Sequence, residues 1–241
     1  ILVSVSNRHA SATPNIPTIT GNSFTWQQVG TVHYDTSGSQ RRITLFRSMG
    51  SSITTGAINI DFAGQSQTEV RWVVDQFSGV DTSGTHGSGA VVQSVTNSDT
   101  SNSNNNLTVT LGSFTNASNA TYGSFSSSAD NPTVGSGFTL LGSAGTWNDT
   151  LTILSEWKNS NDTSVDYSQT QNFQLGGIAV EIKSFDLTPT PTSTPTLTLT
   201  PSPTGVVSSP TPTPTGVVNP NRPDKTVLVW EENRNLQDVI G

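Results

Sequence analysis

Residues 175–183, LGGIAVEIK, decide how this chain is read. Ile178, Val180 and Ile182 alternate with Ala179, Glu181 and Lys183, the period of two of a β-strand that turns one face to a core. Similar short apolar runs recur through residues 1–187, at 24–34, 42–46, 57–62, 69–77, 90–95, 107–111, 120–125, 138–141 and 151–157, with Gly and Asn between them. Nothing here sustains a helical period beyond about two turns. Runs spaced roughly ten to fifteen residues apart predict an all-β domain, an antiparallel β-sandwich of jelly-roll type. About 185 residues is ample for one such core. The opening run, ILVSVS, begins with Ile1 and not Met, so an initial strand and a signal peptide are expected to precede it.

The character of the chain changes after residue 187. Of thirteen prolines, ten lie between Pro189 and Pro223, among Thr and Ser. Proline fixes φ and removes backbone donors, while Thr and Ser bury little, so residues 188–223 read as a disordered linker with no core. Extended, it spans on the order of 100 Å, at about 3.1 Å per residue. Spacers of this style belong to secreted or cell-surface modular proteins, which is the localisation expected here. Ten Lys and Arg against seventeen Asp and Glu give a net charge of −7, the wrong sign for a surface that binds nucleic-acid phosphates. No apolar run approaches the roughly twenty residues of a membrane-spanning helix. With no cysteine there is neither a disulfide nor a thiolate metal site. Asn106, Asn116, Asn119, Asn148 and Asn161 sit in N-x-Ser/Thr sequons, which matter only in a eukaryotic secretory host.

Residues 224–241 form a third segment. Residues 226–230, TVLVW, are an almost continuous apolar run, the pattern of a strand buried on both faces of a parallel sheet. Glu231, Glu232 and Asn233 then lie just beyond its carboxyl end, where open α/β sheets place their ligands. Leu236, Val239 and Ile240 follow at the offsets of a starting helix. Val227, Leu228, Val229, Glu232, Asn233, Arg234 and Gly241 together resemble the opening of the phosphoesterase family of the alkaline-phosphatase superfamily, which includes acid phosphatases and phosphatidylcholine-type phospholipases C. The resemblance implies a truncated first strand of an α/β domain, with Glu232 a carboxylate ligand of a divalent metal and Asn233 a neighbouring polar ligand. A nucleophilic hydroxyl and the remaining Asp and His ligands are not among these residues, so the fragment itself is expected to catalyse nothing, and the intact parent to hydrolyse phosphoesters. Taken without the resemblance, residues 231–233 are a solvated strand end that caps a helix.

The stretches GNSFTWQQVGTVHYD, RRITLFRSMGSS, FSGVDTSGTHGSGAV and GGIAVEIK resemble a β-sandwich module that recurs in large bacterial and phage-associated extracellular proteins. That likeness implies a fold and no reaction. His9, His33 and His86 are scattered, with no metal-site spacing. His86 lies in DTSGTHGSG, a solvated turn, where Asp81 and backbone carbonyls could meet calcium, although the spaced acidic ligands of a calcium loop are missing. Extracellular or cell-surface polysaccharide is the better partner class, since exposed Trp and Tyr rings stack on sugars. Trp72 and Trp157 sit in strong strand patterns and are expected in the core. Trp26, Tyr34 and Trp147 lie near strand ends or in loops and are the candidates for stacking, Trp147 first, with a packed loop anchor as its alternative. Arg41 and Arg42 read as residues that solubilise a strand edge. The chain is thus expected to be a binding module tethered to a metal-dependent phosphoesterase, or else an adhesive or structural surface protein with no enzyme activity.

Overall fold

The computed structural model describes residues 1–35, 38–50, 56–128, 132–145 and 150–185, and the backbone of 225–226. Among the described residues there are strands and no helix. One main sheet is built from β1 (Leu2–His9), β3 (Gln27–Asp35), β4 (Gln40–Arg47) and β6 (Glu69–Phe77), in the order β6-β1-β4-β3. The other is built from β7 (Val91–Asp99), β9 (Ala120–Ser127), β11 (Thr139–Ala144), β12 (Thr152–Lys158) and β14 (Leu175–Ile182), in the order β11-β12-β9-β14-β7. All pairings are antiparallel. The two sheets stack face to face, β6 over β11 and β12, and β3 over β14 and β7, as in an aligned sandwich.

The antiparallel sandwich read from the sequence is what forms. Its strand order is more local than a double Greek key, because the four long strands of the first sheet lie within residues 2–77 and the five of the second within residues 91–182. The jelly-roll likeness therefore lies in the stacking and not in strands that alternate between sheets. β1, formed by the opening apolar run, is a central strand paired along most of its length with β4 and β6.

Two smaller sheets turn the sandwich into four layers. β2 (Thr18–Gly21) and β5 (Ile58–Asp61) pair with each other. Their Ile19, Ile58 and Ile60 cover Val3, Val5 and Phe46 on the outer face of the first sheet, with Trp26 and the half-buried Trp72. β8 (Asn106–Thr110), β10 (Thr133–Val134) and β13 (Ser164–Ser168) form a three-stranded sheet in the order β10-β13-β8. It lays Leu107, Val109, Val165 and Tyr167 on Phe125, Leu154, Leu175 and Ala179 of the second sheet. Finally, the two-residue β15 (Lys225–Thr226) pairs with Phe77 and Gln76 on the outer edge of β6.

The second main sheet is thus enclosed on both faces, which corrects the one-faced reading of LGGIAVEIK. Ile178, Val180 and Ile182 enter the core between the main sheets, while Leu175 and Ala179 enter the core under the small sheet. Glu181 is fully buried on that second side. Asn119 Nδ2 donates to its Oε1 at 2.5 Å and Gln93 Nε2 to its Oε2 at 2.6 Å, bonds that a buried carboxyl requires. Aromatic pairs reinforce both cores: Phe77 meets Tyr122 and Trp157 at 6.0 and 5.9 Å, and Phe125 stacks on Tyr167 at 5.3 Å. Each such pair adds about 0.5–1.5 kcal/mol beyond burial.

Gly176 and Gly177 make this enclosure sterically feasible. A Cβ at Gly176 would stand 2.4 Å from Tyr34 Cδ1 on one face, and one at Gly177 would stand 2.6 Å from the Phe125 ring on the other. Each glycine leaves room for a ring. Gly177→Ala is therefore expected to lower stability by about 1–3 kcal/mol, measured by urea unfolding; an unchanged midpoint would mean that the ring is free to move aside.

Candidate functional site

Of the sugar-stacking candidates, the two among the described residues, Tyr34 and Trp26, are both buried. Tyr34, at the end of β3, is fully buried, and its hydroxyl lies 2.7 Å from Ser126 Oγ and 3.4 Å from Ser6 Oγ. Burial pushes its pKa up to about 12. Trp26 is 9% exposed, donates Nε1–H to the Gly21 carbonyl at 3.3 Å, and meets Phe24 edge to face at 5.8 Å. Rings held in this way have no free face to offer a sugar, so the exposure read for both positions is corrected. Strand ends look exposed in a sequence, but here the β2–β5 layer covers Trp26, and the second main sheet covers Tyr34. Trp157 is buried, as read. Trp147, Glu232 and Asn233 lie outside the described residues.

Tyr34 belongs to a polar seam between the main sheets. Ser124 Oγ lies 2.7 Å from Ser4 Oγ and 3.1 Å from the Leu154 carbonyl, and Ser126 Oγ lies 2.6 Å from both Ser6 Oγ and the Thr152 carbonyl. All four serines are buried. One buried carboxylate joins the seam, since Tyr122 donates its hydroxyl to Asp75 Oδ2 at 3.0 Å; together these bonds hold the two sheets in register. Outside it, His9 Nδ1 accepts the Ser11 and Ala12 amides at 3.2 and 2.8 Å. Burial, and next the Arg42 guanidinium, lower the pKa of His33.

The turn at 81–90 is closed by its own bonds. Lys183 Nζ donates to Asp81 Oδ2 at 2.5 Å, and the Ser83 amide to Asp81 Oδ1 at 2.6 Å. Lys183 first and Ser83 next hold the Asp81 carboxyl down at about 2. His86 is exposed in this turn, at φ 51°. A calcium ion would have to displace Lys183 from Asp81. Among the described residues no three His, Asp or Glu side chains gather as metal ligands. The sequon Asn119 is also committed, since its amide holds Glu181 and its Oδ1 accepts the Ser184 amide at 3.2 Å.

The arginines, too, do something other than what the sequence implied. β4 is an interior strand, between β1 and β3. Arg41 is 7% exposed, forms an ion pair with the buried Asp35, and donates Nε–H to the Thr150 carbonyl at 2.9 Å. Arg42 donates to the Pro14 carbonyl at 2.8 Å and to Thr31 Oγ1 at 3.2 Å. Both tie loops to the sheet; neither solubilises an edge.

The described residues also form an apolar cleft, open to solvent, at one end of the sandwich. Leu2, Met49, Phe77, Val80, Val91 and Ile182 supply most of its wall, with Arg47 and Gln76 among its few polar groups. These residues come from five separated segments, so no local motif could have announced the cleft. Ser48 also lines it, with its hydroxyl donated to the Thr25 carbonyl at 2.8 Å. No family model matches the chain, and neither a curated protein nor a solved structure is significantly similar to it.

Arg41→Ala distinguishes the two accounts of that residue. Leaving Asp35 buried without its cation should cost about 3–5 kcal/mol in chemical unfolding, whereas an edge-solubilising arginine would cost less than about 0.5 kcal/mol.

Proposed function

We propose that residues 1–187 are a non-catalytic binding module of a secreted or cell-surface protein, tethered by the Thr-Pro linker to a metal-dependent phosphoesterase domain that opens at residues 224–241. The observation that carries the reading is the order of three unlike segments in one chain: a β-sandwich, a proline-rich spacer, and an apolar strand pattern running into Glu231, Glu232 and Asn233. Support also comes from the sandwich itself. The Ser6 and Ser126 hydroxyls, the Glu181, Asp81 and Asp35 carboxylates and the cations Arg41 and Lys183 are engaged in hydrogen bonds or ion pairs within the sandwich.

The donor chemistry of the terminal motif suits a divalent cation, because a carboxylate at Glu232 and an amide oxygen at Asn233 are hard ligands. When bound, such a metal supplies polarisation of a phosphoryl oxygen and activation of a nucleophile. Glu232 would hold it by charge and Asn233 would orient an oxygen beside it. The nucleophile and further Asp and His ligands would come from residues after Gly241. The sandwich would bind a cell-surface or extracellular polysaccharide and, through the tether, raise the local concentration of substrate.

The test is hydrolysis of p-nitrophenyl phosphate and bis(p-nitrophenyl) phosphate by the encoded protein with whatever residues follow Gly241, beside the 241-residue chain alone. The longer protein should turn over one ester, lose activity on chelation, and lose more than about 100-fold in Glu232→Ala; the 241-residue chain should be inert. Turnover indifferent to chelation and to Glu232→Ala would overturn the metal assignment. No turnover from either protein, with retention on polysaccharide, would leave an adhesive surface module.

A further inference from the structure

Glu156 is the buried acid that the architecture does not balance. It lies on β12, where Leu140 and Gly123 are its neighbours across the sheet, and it is fully buried on the side of the small sheet. The amide of Gly135, in the turn between β10 and β11, donates to Oε2 at 2.7 Å. Oε1 is buried and has no hydrogen-bond partner among the described residues. The wall around it is apolar or bare, since a Cβ on Gly123 would stand 3.1 Å from Oε1 and 2.6 Å from Val165 Cγ1. Glu181, on the same face of the sheet, receives two amide donors, whereas Glu156 receives one.

The charges around Glu156 do not favour its ionised form. Asp166 on β13 and Asp162 just before β13 both act on it as like charges. The one cation on its own strand, Lys158, is taken, with Nζ 2.7 Å from Asp162 Oδ2 and 5.5 Å over the Phe138 ring. β9 presents Gly123 and β11 presents Leu140, neither of which carries charge. Burial first, and then Asp166 and Asp162, raise the Glu156 carboxyl to about 8 against the Gly135 hydrogen bond, which acts the other way.

We propose that Glu156 is a proton-dependent latch, which holds the small sheet β10-β13-β8 on the central sheet while it is neutral and releases that sheet when its proton is lost. The turn at Gly135, held by Glu156, leads from β10 into Phe138, and Phe138 packs in the same cluster as Val165 and Tyr167. Opening the sheet exposes the carboxyl to water, so the open form ionises near the ordinary carboxylate value while the closed form keeps its proton up to about 8. The sign follows from proton linkage. Between pH 4.5 and 8 the closed form binds the extra proton, so closure weakens as pH rises through that window and levels off above it.

The experiment is native-state hydrogen exchange of the 241-residue chain at pH 5.5, 6.5 and 7.5, corrected for intrinsic exchange rates. Amides of β13 should lose protection about tenfold per pH unit, while amides of β1 change much less. Glu156→Gln, which mimics the neutral acid, should remove the slope. If Glu156→Gln does not fold, Asp166→Asn serves instead and should make the slope level off at a lower pH. A flat β13 profile, the same slope in Glu156→Gln, or an equal slope at β1 would overturn the latch; the last would mean that the proton is linked to unfolding of the whole domain.

Discussion

The rest of the fold depends on the enclosure of one sheet on both faces, and β14 carries most of that constraint. Every residue of β14 is buried, so each must be small, apolar or fully bonded. Gly176 and Gly177 admit the Tyr34 and Phe125 rings from opposite sides. Ile178 and Val180 fill the core between the main sheets, Ala179 fills the core under the small sheet, and Glu181 is tolerated because Asn119 and Gln93 donate to it. Removing either covering layer would expose a face designed for no solvent.

Polarity inside this stack is placed to join layers. Serine hydroxyls join β1 to β9 in the middle of the sandwich, the Asp35–Arg41 pair ties a loop to the first sheet, and Glu156 holds the turn that leads from the small sheet back into the second. Groups engaged in this way are poor candidates for turnover, because a nucleophile needs a base within hydrogen-bond reach and an approach for substrate. On the proposed reading the chain divides accordingly, into a β module that binds and a separate motif at Glu232 and Asn233 whose oxygen donors would suit a metal. The latch at Glu156 adds a dependence on proton activity to the module without touching that chemistry.

Much of the strand layout was legible because burial on one face leaves a period of two. The limits of β6 and β14 coincide with runs at 69–77 and 175–182. β13 was missed because Val165 and Tyr167 are only two apolar residues within a polar stretch, and such a strand is stabilised by the sheet beneath it. Periodicity alone cannot say that the second face is covered, since Ala179 and Glu181 look like solvent-facing residues until Val109, Phe125 and Asn119 are placed beside them. The same blindness to tertiary cover explains Trp26 and Tyr34, which stand near strand ends but under other layers, and Arg41, whose anionic partner lies across a hairpin. For the site, the cleft residues share no local pattern, and the proposed ligand role of Glu232 rests on a sequence motif alone.

The enclosure can be tested with one thiol, because the chain has no native cysteine. Ala179→Cys places a thiol on the face of β14 that a one-sided sheet would leave in water, and Thr108→Cys places one on the exposed side of β8 as a reference. Under native conditions the thiol at 108 should react with a disulfide reagent at the rate of a free cysteine, and the thiol at 179 only as fast as the small sheet opens or the domain unfolds. Equal rapid labelling at both positions would contradict the enclosure of the central sheet.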